Sequence, residues 1–73
     1  MPHLARPAFN LGLAERIRGR YEEAAGLFVS AARNAAGTAS EAEVRAAVRE
    51  QLGVLTAFGS DVCERSPYRP YCF

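Results

Sequence analysis

Apolar residues recur along this chain every three or four positions, the repeat of one face of an α-helix rather than the two-residue alternation of a strand. The longest series runs Val44, Val48, Leu52, Leu55, Phe58 or Gly59, and on to Val62, one stripe over five turns. Glu41, Arg45, Arg49 and Glu50 hold the opposite face, with Glu41–Arg45 an i,i+4 pair worth roughly 0.2–0.5 kcal/mol. Ser40 with Glu43 forms an S-x-x-E capping box at the start of that helix. Upstream, Ala24, Leu27, Phe28, Ala31 and Ala32 make a second stripe over about residues 21–34. Glu22 and Glu23 in its first turn and Arg33 in its last complement the helix dipole. Residues 35–39, with Gly37 and Thr38, read as the break between the two helices. A first helix opens at Pro7, whose missing N–H costs nothing in a first turn. It takes its apolar weight from Phe9, Leu11, Leu13 and Ile17 and stops at Gly19. No alternating β-branched run is present, so the pattern predicts an all-α fold with a three-helix domain over residues 1–62.

The last eleven residues, 63–73, depart from this pattern. Pro67 and Pro70 exclude a regular helix and favour an extended, turn-bearing tail, bracketed by Cys63 and Cys72. The cysteines are open to two readings. As a disulfide they close a ten-residue loop, stabilising by about 2–3 kcal/mol, in which the prolines pre-organise a recognition loop or a clip onto the helices. As reduced thiols in a cytosolic protein they behave as small hydrophobes. The disulfide is the favoured reading.

Size gives that clip its weight. The chain has 73 residues, enough for one small domain, and its apolar content leans on fourteen Ala, with four Phe and no Trp. Burial stabilises by roughly 25 cal/mol per Å² of apolar surface, so a core of small side chains is weak. A domain this small seldom keeps more than about 3–5 kcal/mol, and a staple or a partner is expected.

Charge narrows the classes further. Nine Arg, no Lys and eight acids leave a formal +1, which excludes a polybasic membrane binder or a protein that wraps nucleic acid. Arg45, Arg49, Arg65 and Arg69 could imitate a helix-turn-helix surface, but Glu41, Glu43, Glu50 and Asp61 neutralise it. Arg or Glu interrupts every apolar stretch, so no transmembrane segment is expected, and residues 1–12 show no secretory h-region. Arg6, Arg16, Arg18 and Arg20 against Glu15 would suit an organelle transit segment, yet the stretch lacks Ser and equally fits a helix; the compartment stays open.

Phe9-Asn10-Leu11-Gly12, then Ala14, then Gly19-Arg20-Tyr21-Glu22-Glu23-Ala24, with Phe28 and Ala31 following, resemble one tetratricopeptide (TPR) repeat over about residues 9–36. The chemistry behind that pattern is packing. Gly12 and Ala24 are small so that two helices approach closely, while Leu11, Tyr21 and Phe28, with Ala31, fill the layer between them. Ala8, Glu15 and Ala36 depart from the pattern, standing where the repeat carries two aromatics and a closing proline. One repeat cannot bury both faces of its hairpin, so the resemblance implies either neighbours or a covering helix. It also implies that Asn10 and Leu13 line an open side, Asn10 at the position where such repeats hold a peptide backbone.

Candidate chemistry is sparse. His3 is the lone histidine and lies near the terminus, the acids fall on helix faces, and no phosphate loop, H-E-x-x-H or paired C-x-x-C is present. Two Cys and one His fall short of a structural zinc site, so no metal or cofactor is expected. The reading is a small non-enzymatic protein-interaction module, an adaptor or accessory subunit of a larger complex, with a homo-oligomer also open. Its contacts would come from Asn10, Leu13, Tyr68, Arg69, Tyr71 and Phe73, since Tyr and Arg are favoured interface anchors. The alternative is a precursor of a ribosomally made, enzyme-modified peptide, its core in residues 59–73, suggested by the abrupt switch from Ala-rich helix to a Cys-, Pro- and Tyr-rich end.

Overall fold

The computed structural model describes residues 6–73, so His3 and the start of the transit reading lie outside the described residues. The fold is all-α: α1 (Arg6–Ile17), α2 (Tyr21–Ala35) and α3 (Glu41–Ala57), then two single-turn 3-10 helices, Val62–Glu64 and Arg69–Tyr71. No strand occurs among the described residues. None of their helices is long and apolar enough to cross a membrane.

Glycine sets both sharp helix ends. Gly19 takes φ +80° after α1, its N–H donating to the Arg16 carbonyl and that of Arg20 to Glu15. Gly59 repeats the arrangement after α3 at φ +99°, with Gly59 donating to Thr56 and Ser60 to Leu55. Both are Schellman closures, which need a left-handed residue that glycine supplies without steric cost. The predicted fifth turn of α3 is corrected by this stop. The chain reverses at Gly59, and Val62 reaches the core from a separate 3-10 turn, where it is fully buried.

The capping box at Ser40 does not form. Ser40 sits at φ −99°, ψ 7°, outside the extended region from which a cap hydroxyl reaches the first-turn N–H groups, and its side chain makes no cap bond. Glu41 serves the connection instead, its Oε1 accepting from the Gly37 N–H at 2.7 Å. The Thr38 hydroxyl donates to the Ala35 carbonyl at 2.6 Å.

Helix α2 is the central element and packs against both α1 and α3. Its buried face is Ala24, Ala25, Phe28, Val29, Ala31, Ala32 and Ala35, meeting Val44, Val48, Leu52 and Leu55 of α3. Leu27, expected on that stripe, lies at its edge and is only half-buried. The α1 contact turns on Gly12, where an added Cβ would stand 2.7 Å from Cε1 of Phe28. Phe9 closes over the same ring at 5.3 Å between centroids. At the other end of the bundle, Tyr21 stacks on Phe58 at 5.9 Å, and Arg16 Nη1 donates to Gln51 Oε1 at 2.7 Å, tying α1 to α3.

Cys63 and Cys72 form a disulfide, with Cα atoms 5.9 Å apart. The loop it closes bears the turns expected from the prolines but does not run extended. It winds through the two 3-10 turns, the second admitting Pro70 in its first positions, where no intrahelical N–H is required. Tyr68, Tyr71 and both cysteines pack half-buried against the core.

A candidate docking groove between α1 and α2, and the pinned tail

Two surfaces gather the residues that could engage another molecule. The first is an open groove of about 550 Å³ between α1 and α2, lined by Leu11, Glu15, Glu23, Gly26, Leu27 and Ser30. Its floor is apolar, and Leu11 is 51% exposed. This corrects the expectation that Leu11 fills the layer between the helices. Gly12 and Phe28 take that layer through direct contact, and their register turns Leu11 outward. Leu13 makes the reverse exchange: expected on an open side, it packs half-buried against the core. Asn10 is exposed on α1 and is not among the groove's lining residues.

Glu15, which departs from the repeat pattern, is the buried charge of the groove, with the whole residue only 7% exposed. Its two carboxylate oxygens face Arg18 Nη1 at 2.9 Å and Arg20 Nη1 at 3.6 Å. Arg18 and Arg20 flank the Gly19 turn, so three residues that read as a basic segment with one acid close the α1–α2 corner instead. A buried carboxylate needs such partners, because desolvating it unpaired is costly. Glu23 on the rim is exposed and makes no ion pair among the described residues.

The second surface is the tail. Arg65 donates from Nη1 to Glu22 Oε1 at 2.6 Å and from Nη2 to Asp61 Oδ1 at 3.0 Å, bridging the tail to the first turn of α2. Those two hydrogen bonds to carboxylates raise the Arg65 pKa above its ordinary value. Arg45 holds the other end, its guanidinium 5.0 Å from the Tyr71 ring centroid and its Nη2 donating to the Pro70 carbonyl at 3.4 Å. Of the tail residues read as partner contacts, Tyr68 and Tyr71 are half-buried within the fold, whereas Arg69 and Phe73 are exposed. Arg69 and Phe73 border a second hollow with Glu64, Ser66 and Pro70.

The structure brings Tyr21, Gly12, Ala24, Phe28 and Ala31 into one hairpin; Leu13 packs against the core as Tyr68 and Tyr71 do, while Asn10, Arg69 and Phe73 are exposed. Glu23, Gly26, Leu27 and Ser30 were missed as surface formers. The signal that could have found them is Gly26, a glycine in the middle of a helix in an Ala-rich chain. No group of three or more His, Cys, Asp or Glu able to hold a metal occurs among the described residues. The chain matches no known protein-family model, no curated protein and no solved structure.

Proposed function

We propose that the protein is a small non-enzymatic interaction module, an adaptor or accessory subunit that docks on a larger assembly through its first helical hairpin. The observation that carries this reading is the apolar groove between α1 and α2, lined by Leu11 at 51% exposure and the half-buried Leu27. Exposed apolar side chains grouped around a concavity are a docking feature, whereas scattered ones are ordinary. The close Gly12–Phe28 approach and the Gly19 turn suit a TPR-like unit, whose hairpin is completed by neighbours. Helix α3 covers one side of α2 in that role, and a partner supplies the cover on the groove side.

The test is a native mass spectrum of the protein purified gently from its own cells, beside a Leu11→Arg variant that places a cation on the groove floor. The reading predicts a full-length chain bound to other chains in the first sample and a released chain in the second. A wild-type chain found alone sinks it. If that lone chain also carries a cleaved or mass-shifted tail, the modified-peptide precursor takes its place.

A further inference from the structure

We infer that the α1–α2 groove receives an amphipathic helix from a partner protein, its apolar face between Leu11 and Leu27, its backbone close over Gly26, and a lysine or arginine opposite Glu23. This rests on the interaction reading and names the chemistry of the partner.

Gly26 is the first ground. A glycine inside a helix forfeits stability relative to alanine, and this chain uses alanine freely. The other glycines with a structural reason show it plainly: Gly19, Gly37 and Gly59 have positive φ, and Gly12 lies under the Phe28 ring. Gly26 and Gly53 have neither reason, since their φ values are not positive and a Cβ at either would meet nothing within 4 Å. Gly53 lies on the exposed side of α3, whereas Gly26 sits in the groove wall beside Leu27, and that place, facing a concave apolar surface, is what sets Gly26 apart. With Ser30 one turn on, it leaves α2 open to close approach by a second backbone.

Hydrogen bonding selects a helix over an extended segment. Both oxygens of Glu15 are already held by Arg18 and Arg20, which leaves Glu23 and Ser30 as the groove's polar side chains. An extended peptide would bury N–H and C=O groups with few partners, whereas a helix satisfies its own. Charge sets the flank: Glu15 is neutralised, and Glu23 is a carboxylate on the rim with no cation of its own among the described residues. A second copy fits less well. The apolar stripes of its α2 and α3, the faces that would have to enter the groove, are spent in its own core, so its exposed Arg33, Arg49 and Arg69 have no apolar helix face of α2 or α3 to bring with them.

The experiment uses the full chain and fluorescence anisotropy with a labelled peptide of about five helical turns. The peptide carries Leu at i, i+3, i+4 and i+7 and Lys on its flanks; a twin carries Glu in place of Lys. The expected result is that the Lys peptide binds at least about tenfold tighter than its twin at low salt. Gly26→Ala should melt a few degrees higher than wild type yet bind the Lys peptide at least about fivefold more weakly. Gly53→Ala, on an exposed position of α3 that also has nothing within 4 Å, is the control: it should gain stability and keep its affinity. No binding, equal binding of the twins, or undiminished binding by Gly26→Ala overturns the inference. Self-association of the wild-type protein that Gly26→Ala abolishes overturns it in favour of a second copy. In cells, a complex that survives Gly26→Ala sinks the groove assignment alone, and the lack of any complex sinks the interaction reading with it.

Discussion

At Gly12 a missing methyl group decides how α1 meets α2. A Cβ there would lie 2.7, 2.9 and 3.2 Å from three carbons of the Phe28 ring, and that ring is fully buried with Phe9 packed over it. The ring has no free volume to swing into, because protein interiors are packed near crystal density. Gly12→Ala would gain about 1 kcal/mol of helix propensity and lose roughly 1–3 kcal/mol to overpacking, so a net loss of about 1 kcal/mol is expected. Urea unfolding followed by circular dichroism checks this, and a raised midpoint would show that the helices separate freely. Gly12 was readable in the sequence because Leu-Gly and the later Phe28 follow a packing pattern. Leu11 and Leu13 were not, because apolarity alone does not say which side of a helix faces inward. That phase is set by the closest contact, and the closest contact belongs to the glycine. Glu15 was opaque for a related reason: a lone acid among arginines looks solvated until the Gly19 turn folds Arg18 and Arg20 back onto it.

Among the elements, the tail gains most from being seen as a structure. Its two 3-10 turns, the disulfide and the Arg65 and Arg45 contacts make it a clip across α2 and α3. Closing a loop of about ten residues removes unfolded-state entropy worth about 2–3 kcal/mol. The doubly substituted Cys63→Ser, Cys72→Ser chain should therefore unfold about 10–20 °C lower than the oxidised protein in a calorimetric scan. A wild-type sample scanned under strong reductant should coincide with it. Equal melting of oxidised and substituted chains would show that the clip adds nothing beyond the contacts of its side chains. The sequence pointed to the three helices well because their apolar repeats are long. It misplaced their edges: the stripe through Val62 crosses Gly59, whose left-handed turn ends α3, and Ser40 lacks the backbone angles its capping box requires. Both failures arise where backbone conformation, rather than side-chain pattern, terminates a helix.

For the molecule as a whole, the question is whether the tail can be parted from the helices. The large side chains of the core are few, and α2 contributes mainly alanine, so each fully buried large residue carries weight. Val62 is one of them, and it lies beyond the Gly59 stop, on the tail side of the chain. A chain ending at Ser60 would lose Val62, whose burial stabilises by roughly 1.5–3 kcal/mol, together with the half-buried Tyr68 and Tyr71 and the Arg65–Glu22 bridge. Set against the roughly 3–5 kcal/mol that a core of this size retains, that loss removes most of the margin. The truncated chain should keep much of its far-ultraviolet helical signal but melt without a sharp transition and bind a hydrophobic dye, as chains do when specific packing is lost. A separable leader carrying a detachable peptide would behave otherwise: its helices would melt as cooperatively, and at the same temperature, with the tail removed. A melting curve of the 1–60 chain beside the full chain therefore distinguishes a tail built into an interaction domain from cargo attached to one.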